Sequence, residues 1–211
     1  KVIFHQQLMS NNVLTPHTIT AKEWSLNPFN SSSGFIVKPR DGAGCIDTLF
    51  FANRSVLTTW LRLSSIELEQ TIIQPYIEGN AISLSVLVDD KTCRVLAINQ
   101  QHIKLENDQL SFHGCCVNGI AETQFNPAQA AAIAQQTQYA IPGLWGFIGI
   151  DLILTDDEAY IVDINPRLTT SYVGLRQSLK LNPTQLLLTM IEQGLSALPL
   201  NTQRHAIEIT I

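Results

Sequence analysis

The sequence of 211 residues lacks any apolar run close to the roughly 20 residues that a membrane-spanning helix needs. It also lacks a signal-peptide pattern and any excess of positive charge, because its formal net charge is −5. Proteins that bind nucleic acid usually carry a basic patch or stripe. We therefore expect neither a membrane nor a nucleic acid as partner, and an anionic ligand would need cations that are gathered locally.

The cysteines lack the spacing of a zinc site or of a disulfide framework. There are four of them, without a CxxC motif and with two adjacent in sequence. Free thiols of this kind suit a reducing compartment, which predicts a cytoplasmic location. The four are Cys45, Cys93, Cys115 and Cys116.

The order of predicted elements mixes helices with antiparallel hairpins, so the expected fold class is α+β rather than a regular βαβ alternation. With 45% hydrophobic residues, the chain can bury a core in one domain or in two closely packed lobes. Helices are predicted at residues 2–9, 55–63, from 127 onward, 171–181 and 183–192. Strands are predicted at 35–37, 71–73, 81–88, 93–101 and 109–112. The first residue is Lys1 and a helical pattern follows at once, which suggests a longer gene product whose N-terminal domain is absent.

Residues 146–171 contain two apolar strands around a tight polar turn. If the turn is centred on Asp157, Asp151 and Asp163 lie directly opposite each other, and Asn165 shares their face. Opposed like charges destabilise a sheet, whereas two carboxylates and an amide suit Mg²⁺ that also binds substrate phosphates. The hairpin therefore predicts a metal site. A solvated face, or one protonated acid, is the alternative.

The segment GFIVKPRDGAG, residues 34–44, places a lysine at the end of an apolar strand beside a glycine-rich loop. Glycine lets backbone N–H groups approach phosphate oxygens, and Lys38 adds a positive charge. The segment is neither a Walker A loop nor GxGxxG. It predicts phosphate binding, although an ordinary hairpin loop explains the same residues.

The segment QPYIEG, residues 74–79, follows another apolar strand. It can offer backbone amide and carbonyl groups to an adenine edge, with Tyr76 and Ile77 lining the pocket. A plain strand-to-loop corner is the competing interpretation. Further along, Gln101 can touch substrate and Lys104 can reach a phosphate, but solvent exposure explains both nearly as well.

The segment NPRLTTSYVGLR, residues 165–176, leads from the acidic hairpin towards a helix. Arg167 can bind a carboxylate or phosphate at two points. Thr169, Thr170 and Ser171 are candidate N-caps, and a helix N-terminus favours anions. Arg176 is explained equally well as a ligand for substrate and as a surface residue.

Over about residues 1–179 the chain resembles the ATP-grasp superfamily in the order of four motifs: GFIVKPRDGAG, QPYIEG, GIDLIL and YIVDINPR. The resemblance implies two lobes with antiparallel sheets that hold ATP between them: a linker helix at 1–20, a small lobe at 21–76 and a large lobe at 77–211. It also implies a role for individual residues. ATP would be bound by Lys1, Lys38, Asp41, Gly42, Gly44, Gln74, Tyr76 and Ile77; Mg²⁺ by Asp151, Asp163 and Asn165; substrate by Thr169, Ser171 and Arg176, with Arg167 and Lys104 catalytic.

Within the superfamily, DINPRLTTSYVGLRQSL resembles the tyramine–glutamate ligase group of methanofuran biosynthesis and its methylofuran-making relatives. The resemblance implies an ATP-dependent ligase that joins a carboxylate to an amine through an acyl-phosphate, with glutamate and tyramine or tyrosine as the pair. Asp163 stands where glutamate is usual, and Ala81 stands where many members carry an acid for the ribose. A non-catalytic nucleotide-binding module and a kinase on the same scaffold stay open, as does a homodimer.

Overall fold

The computed structural model describes residues 1–199 and 204–211. Over these ranges the chain mixes helices with antiparallel strands, which confirms the predicted α+β class. The helices are α1 Val2–Ser10, α2 Ala21–Leu26, α3 Arg54–Leu63, α4 Pro127–Ala140, α5 Tyr172–Leu179 and α6 Pro183–Gln193, with a 3₁₀ turn at Leu195–Ala197. The strands are β1 Ile19–Thr20, β2 Phe35–Pro39, β3 Leu49–Phe51, β4 Thr71–Pro75, β5 Asn80–Val88, β6 Cys93–Glu106, β7 Gln109–Val117, β8 Gly146–Leu154, β9 Ala159–Asn165 and β10 Ile207–Thr210. No helix in this described part of the chain is long and apolar enough to cross a bilayer.

The ten strands form one continuous sheet with two parts, called here the small sheet and the large sheet, which meet at the pair β3–β7. The small sheet has the order β1-β4-β2-β3, and the large sheet has the order β7-β6-β5-β8-β9, with β10 paired to β7. At the junction Leu49 lies opposite Gln109. The N–H groups of Phe50 and Leu110 donate to backbone carbonyls across it at 2.8 and 2.9 Å. The tip of the β6–β7 hairpin is thereby joined to the small sheet, and a cleft lies between the two sheets.

The segment after α1 is hydrogen-bonded to both sheets. The N–H of Ile161 in β9 donates to the carbonyl of Leu14 at 2.9 Å, and the Thr15 hydroxyl donates to the carbonyl of Ile161 at 2.7 Å. A few residues later, Ile19 pairs with Ile73 of the small sheet. The segment after α1 therefore connects the large sheet to the small sheet. The predicted lobe boundaries at residues 20 and 76 stay predictions.

Strand β5 separates the main core from the cleft. Ile82 and Leu84 are buried against a cluster that includes α1 and α4. Because side chains alternate along a strand, Ser83 and Ser85 face the other way, and Leu87 on that side joins the second cluster beneath α5 and α6. The strand thus turns an apolar face to α4 and a partly polar face to the cleft.

Local sequence signals explain where the clearest helices begin and end. Asn126 caps α4 in a reciprocal capping box with Gln129, and Pro127 stands in its first turn, which confirms the predicted start. Gly194, with a φ of 83°, follows α6 as predicted. The sequence analysis did not predict α2, although Thr20 and Glu23 form a capping box there. It also did not predict β1, β3 or β10.

The β8–β9 hairpin brings the two acids together by a route that differs from the expected one. Leu154 pairs with Ala159, so the turn is centred between Asp156 and Asp157 rather than on Asp157. Continued regularly, this register would place Asp151 opposite Val162. A β-bulge shifts the pairing by one residue, and Asp151 lies opposite Asp163. The predicted pairing of the acids is therefore confirmed, whereas the predicted turn centre is wrong.

Candidate active site

The cleft between the sheets has a volume of about 650 Å³ and collects most of the residues singled out from the sequence. These residues come from the N-cap of α1, the small sheet, the loop after β2, the connection between β4 and β5, the hairpin β8–β9 and the segment that leads into α5. They are Lys1, Lys38, Gly42, Gly44, Gln74, Tyr76, Ile77, Asp151, Asp163, Asn165, Arg167, Thr169 and Ser171.

Three of the sequence-based candidates do not line the cleft: Asp41, Lys104 and Arg176. All three are exposed. Ile103 and Leu105 do line it, so the alternation of side chains along β6 turns Lys104 to the opposite face. The geometry gives Lys104 and Arg176 no support as ligands of phosphate or substrate, and neither has a part in the proposed function.

The acid pair is held by hydrogen bonds from the protein itself. Asp151 accepts one from the Gln101 side-chain amide and one from that of Asn165, each at 2.9 Å. Asp163 accepts a bond of 2.5 Å from the Lys1 ammonium group and one of 3.0 Å from the N–H of Ile164. Burial, followed by the negative charge of Asp163, raises the pKa of Asp151 to about 6. The neighbouring donors therefore compensate only part of the cost of two adjacent carboxylates.

The same bulge positions the central lysine of the cleft. Lys38 donates to the carbonyl of Val162 at 3.1 Å, and Val162 is the residue that the regular β8–β9 pairing skips. Burial lowers the pKa of Lys38 to about 8, with the charge of Asp163 acting in the opposite direction. Lys38 on the small sheet and the acid pair on the large sheet thereby face one another across the cleft.

The donor atoms at the acid pair fit a hard divalent cation that also binds phosphate. Asp151 and Asp163 offer carboxylate oxygens, the ligands that Mg²⁺ prefers. The Asn165 amide directs its NH₂ group to Asp151, while its oxygen accepts from Arg167 at 3.2 Å, so the amide has to turn before its oxygen can bind a metal. Among the described residues no group of three His, Cys, Asp or Glu side chains could hold a metal. Further ligands would have to come from water or from a substrate.

The segment at residues 74–79, which the sequence predicts to bind adenine, offers fewer free backbone groups than expected. The N–H of Tyr76 donates to the carbonyl of Gly34 at 2.9 Å, and the carbonyl of Tyr76 accepts from Ser33 at 2.5 Å. The preceding Pro75 has no N–H. Outside β4, Ile77 and Gly79 are the residues of this segment that line the cleft and whose backbone groups make no such bond to the described part of the chain.

A buried network under this segment, absent from the sequence predictions, centres on His5. The hydroxyl of Thr18 donates to the carbonyl of Pro16 at 2.8 Å, so it must accept from the Gln74 amide at 2.7 Å. The same NH₂ group lies 3.0 Å from His5 Nε2, which therefore accepts. The other ring nitrogen donates to the hydroxyl of Thr15, whose proton is directed to a carbonyl of β9. One neutral tautomer of His5 satisfies every group, and no local sequence signal reveals it.

This network predicts a pH-dependent stability. Burial, followed by the positive charge of Lys38, lowers the pKa of His5 to about 3; Asp163 opposes this shift, and the chain's amino terminus and the Lys1 side chain reinforce it. Folded His5 stays neutral while unfolded His5 binds a proton below about pH 6.5. Its stabilising contribution is therefore complete above pH 6.5 and is lost as the pH falls towards 3.

We expect His5→Gln to flatten this dependence. Between pH 7 and pH 5, the free energy of unfolding of the wild type should fall by about 2 kcal/mol more than that of the variant. Urea titrations at the two pH values measure the difference. Equal losses in both proteins would contradict the neutral, buried state of His5.

The start of α5 differs from the expected anion-binding helix end. Ser171 takes the N-cap position, but its hydroxyl makes no capping bond. The first N–H groups of the helix, from Tyr172 to Gly174, donate to the carbonyls of residues 169–171 at 3.0–3.2 Å. The predicted capping by hydroxyl side chains is therefore wrong. The hydroxyls of Thr169 and Ser171 instead bond to each other at 2.9 Å.

The sequence model of the ATP-grasp domain family matches residues 1–171. The chain belongs to the ATP-grasp family, as the order of its motifs indicated. A tyramine–L-glutamate ligase of Methanocaldococcus fervens is 37% identical to it over 111 residues, which are 51% of this chain and 34% of the ligase. A D-alanine–D-alanine ligase of Petrotoga mobilis is 26% identical over 171 residues, 78% of this chain and 56% of the ligase. The chain thus spans about a third to just over half the length of these curated relatives.

The fold is also found among solved structures. An ATP-grasp superfamily protein from Archaeoglobus fulgidus superposes with a TM-score of 0.61 and 24% identity, over 88% of this chain and 50% of that one. At this identity the likeness shows the fold alone. It confirms the ATP-grasp fold that the resemblance implied.

Proposed function

We propose that this chain holds the ATP site and the acyl-activating site of an ATP-dependent carboxylate–amine ligase that releases ADP. The observation that supports it best is the meeting of Lys38, the pair Asp151 and Asp163, and Arg167 in one cleft between two sheets. A family with ligases among the relatives favours this reading over a general nucleotide-binding role.

In the proposed reaction, a carboxylate oxygen of the first substrate attacks the γ-phosphorus of ATP, and ADP leaves. The amine of the second substrate then attacks the acyl carbon, an amide forms, and phosphate leaves. Lys38 and Lys1 hold the phosphate oxygens, and the loop around Gly42 and Gly44 covers them. When bound between Asp151 and Asp163, Mg²⁺ would neutralise phosphate charge. Catalysis on this scheme is mainly positioning and charge stabilisation.

The proposed substrates are glutamate and tyramine or tyrosine, in the biosynthesis of a methanofuran-type cofactor. Support comes from the two tyramine–L-glutamate ligases that are 36–37% identical over 111 residues. A cytoplasmic location stays a prediction, as does a homodimer. Ala81, which lines the cleft without an acid for a ribose, favours the second candidate, a nucleotide-binding module without catalysis.

Product analysis tests the proposal. The protein is incubated with Mg-ATP, L-glutamate, and tyramine or tyrosine, and the products are identified by mass spectrometry. The ligase forms an amide and releases ADP in equal amounts. A pure nucleotide-binding module releases no ADP with any pair of acid and amine, and a kinase makes a stable phosphate ester; either result would reject the ligase.

Arg167 should matter more for ligation than for nucleotide binding. Its guanidinium group donates to Asn165 at 3.2 Å and to the carbonyl of Leu168 at 3.0 Å, which directs it along the cleft wall. We expect Arg167→Ala to lower the rate of amide formation by on the order of 10²-fold while the Kd for ATP changes little. The matched control is Arg62→Ala, which removes an exposed arginine of α3. Loss of ATP binding alone would contradict this role.

A further inference from the structure

A cluster of buried polar side chains lies beneath one end of the cleft. Ser83 and Asn99 pair across β5 and β6, Ser85 lies on the same face as Ser83, and Thr169 and Ser171 approach from the start of α5. Asn99 is 0% exposed, and the three serines are 4–8% exposed. Buried polar groups are costly unless their hydrogen bonds are complete, so the direction of each proton in this hydroxyl cluster can be worked out.

Asn99 fixes the direction of the first bonds. The backbone N–H of Asn118 can only donate, and it lies 3.3 Å from Asn99 Oδ1, so the NH₂ group of Asn99 faces the serines. That group donates to Ser83 at 3.2 Å and to Ser85 at 3.0 Å. Both serine hydroxyls therefore act as acceptors towards Asn99, and each keeps its own proton for another partner.

The remaining protons run towards the cleft. Ser85 lies 2.9 Å from Ser171, and Ser171 lies 2.9 Å from Thr169. If Ser85 donates to Ser171 and Ser171 donates to Thr169, the protons of Ser85 and Ser171 both have an acceptor. The reverse order leaves the Ser85 proton without one among the described residues, and donation to Ser171 from both sides leaves the proton of Ser171, which is 4% exposed, rather than that of the half-buried Thr169. The order from Ser85 through Ser171 to Thr169 leaves two hydroxyl protons without an acceptor among the described residues, those of Ser83 and Thr169. Both side chains line the cleft.

Neighbouring residues keep this arrangement in place. A Cβ atom on Gly149 would lie 2.5 Å from the Thr169 methyl group, so the glycine lets that methyl group pack against β8. Ser83 pairs with Asp151 across β5 and β8, which places it next to the acid pair. The cluster thus presents hydroxyl protons, rather than lone pairs, beside the site of phosphoryl transfer. That polarity suits an anion and not a cation.

We propose that Ser83 and Thr169 bind a carboxylate oxygen of the acid substrate, and that Asn99 is the positioning residue that turns their protons into the cleft. This inference rests on the proposed function. On this proposal the acid substrate, before and after its activation, lies in the part of the cleft between the acid pair and Arg167. Ser85, which does not line the cleft, and Ser171, whose proton is directed to Thr169, transmit the polarity.

Steady-state kinetics of ADP release test the inference, with saturating Mg-ATP and tyramine and with L-glutamate varied. Ser83→Ala and Thr169→Val should each raise the KM for L-glutamate about tenfold or more, as for the loss of one hydrogen bond to a charged group, while the KM for ATP stays unchanged. Thr169→Ser should restore the wild-type KM. In Asn99→Asp, a carboxylate that accepts hydrogen bonds replaces the NH₂ group that donates them. The hydroxyl protons of Ser83 and Ser85 should then turn towards residue 99 and away from the cleft, so the KM for L-glutamate should rise as well.

Ser178→Ala is the matched control for buried hydroxyls. Ser178 accepts from Asn118 at 2.8 Å and donates to the carbonyl of His205 at 2.5 Å, but it does not line the cleft. Ser178→Ala should therefore lower the Tm without changing the KM for L-glutamate. If Asn99→Asp fails to fold by circular dichroism, the two hydroxyl deletions decide the test by themselves.

The outcomes separate this inference from the function on which it rests. A wild type that releases ADP with none of L-glutamate, L-tyrosine and D-alanine as the acid refutes the proposed function, and the inference with it. An active wild type whose KM for the acid is unchanged in both Ser83→Ala and Thr169→Val overturns the inference alone. A KM for ATP that rises as much as that for the acid also overturns it.

Discussion

Replacing Asp163 with asparagine should lower ATP turnover by on the order of 10²–10³-fold, by analogy with the removal of other groups that stabilise charge in a transition state. Asparagine keeps the size of the side chain but removes one of the two carboxylates that would face the phosphates in the proposed mechanism. The fold should persist, because the variant relieves the repulsion from Asp163, which adds to burial in raising the pKa of Asp151. ADP release and the Tm are the two measurements.

The same substitution at the other end of the hairpin provides the control. Asp157 is exposed in the turn between β8 and β9, so Asp157→Asn should leave turnover within twofold or so of the wild type. Near-normal turnover in Asp163→Asn would count against the acid pair as the metal-binding site. Unfolding of Asp163→Asn at room temperature would show that the bond from Lys1 matters chiefly for the fold.

Lys38→Met should produce the second large effect. Methionine has a similar length but no charge, and the bond from Lys38 to the Val162 carbonyl would be lost. We expect kcat/KM for ATP to fall by on the order of 10²-fold or more, since in the proposed mechanism the lysine contacts the group that is transferred. Stability should change little, because burial already lowers the pKa of this lysine to about 8.

Lys91→Met serves as the control for loss of a positive charge, because Lys91 is exposed in the turn between β5 and β6. It should keep the wild-type kcat/KM for ATP. If Lys38→Met also keeps it, the phosphates do not lie beside β2, and the proposed orientation of ATP in the cleft is wrong. Binding of ADP by calorimetry separates an effect on affinity from an effect on the chemical step.

Local signals in the sequence were enough for some parts of the site. Asp151, Asp163 and Asn165 belong to one hairpin, so alternation and pairing predicted their common face before any tertiary contact was known. The pairing of the acids nevertheless depends on a bulge at Val162. Two errors in the prediction cancel there. The turn is centred half a residue earlier than expected, which shifts every pairing by one residue, and the bulge shifts the pairing of Asp151 back by one residue.

Other parts needed tertiary structure. Alternation could have excluded Lys104 once Gln101 was assigned to the cleft, since residues three apart on a strand face opposite sides. His5, Asn99 and Ser83, in contrast, carry no local pattern that indicates a polar network. Their partners are 10 to 69 residues away in the chain, so only the assembled sheets reveal which atom donates to which.

The two sheets are joined at two places. The segment after α1 bonds to β9 through Leu14 and to β4 through Ile19, and the tip of the β6–β7 hairpin bonds to the small sheet through the amides of Phe50 and Leu110. A movement that separates the two sheets at the hairpin tip would stretch or release the hydrogen bonds of these two amides. Their solvent-exchange rates, read residue by residue with and without ADP, would therefore serve as a built-in gauge of how far the two sheets separate during a turnover.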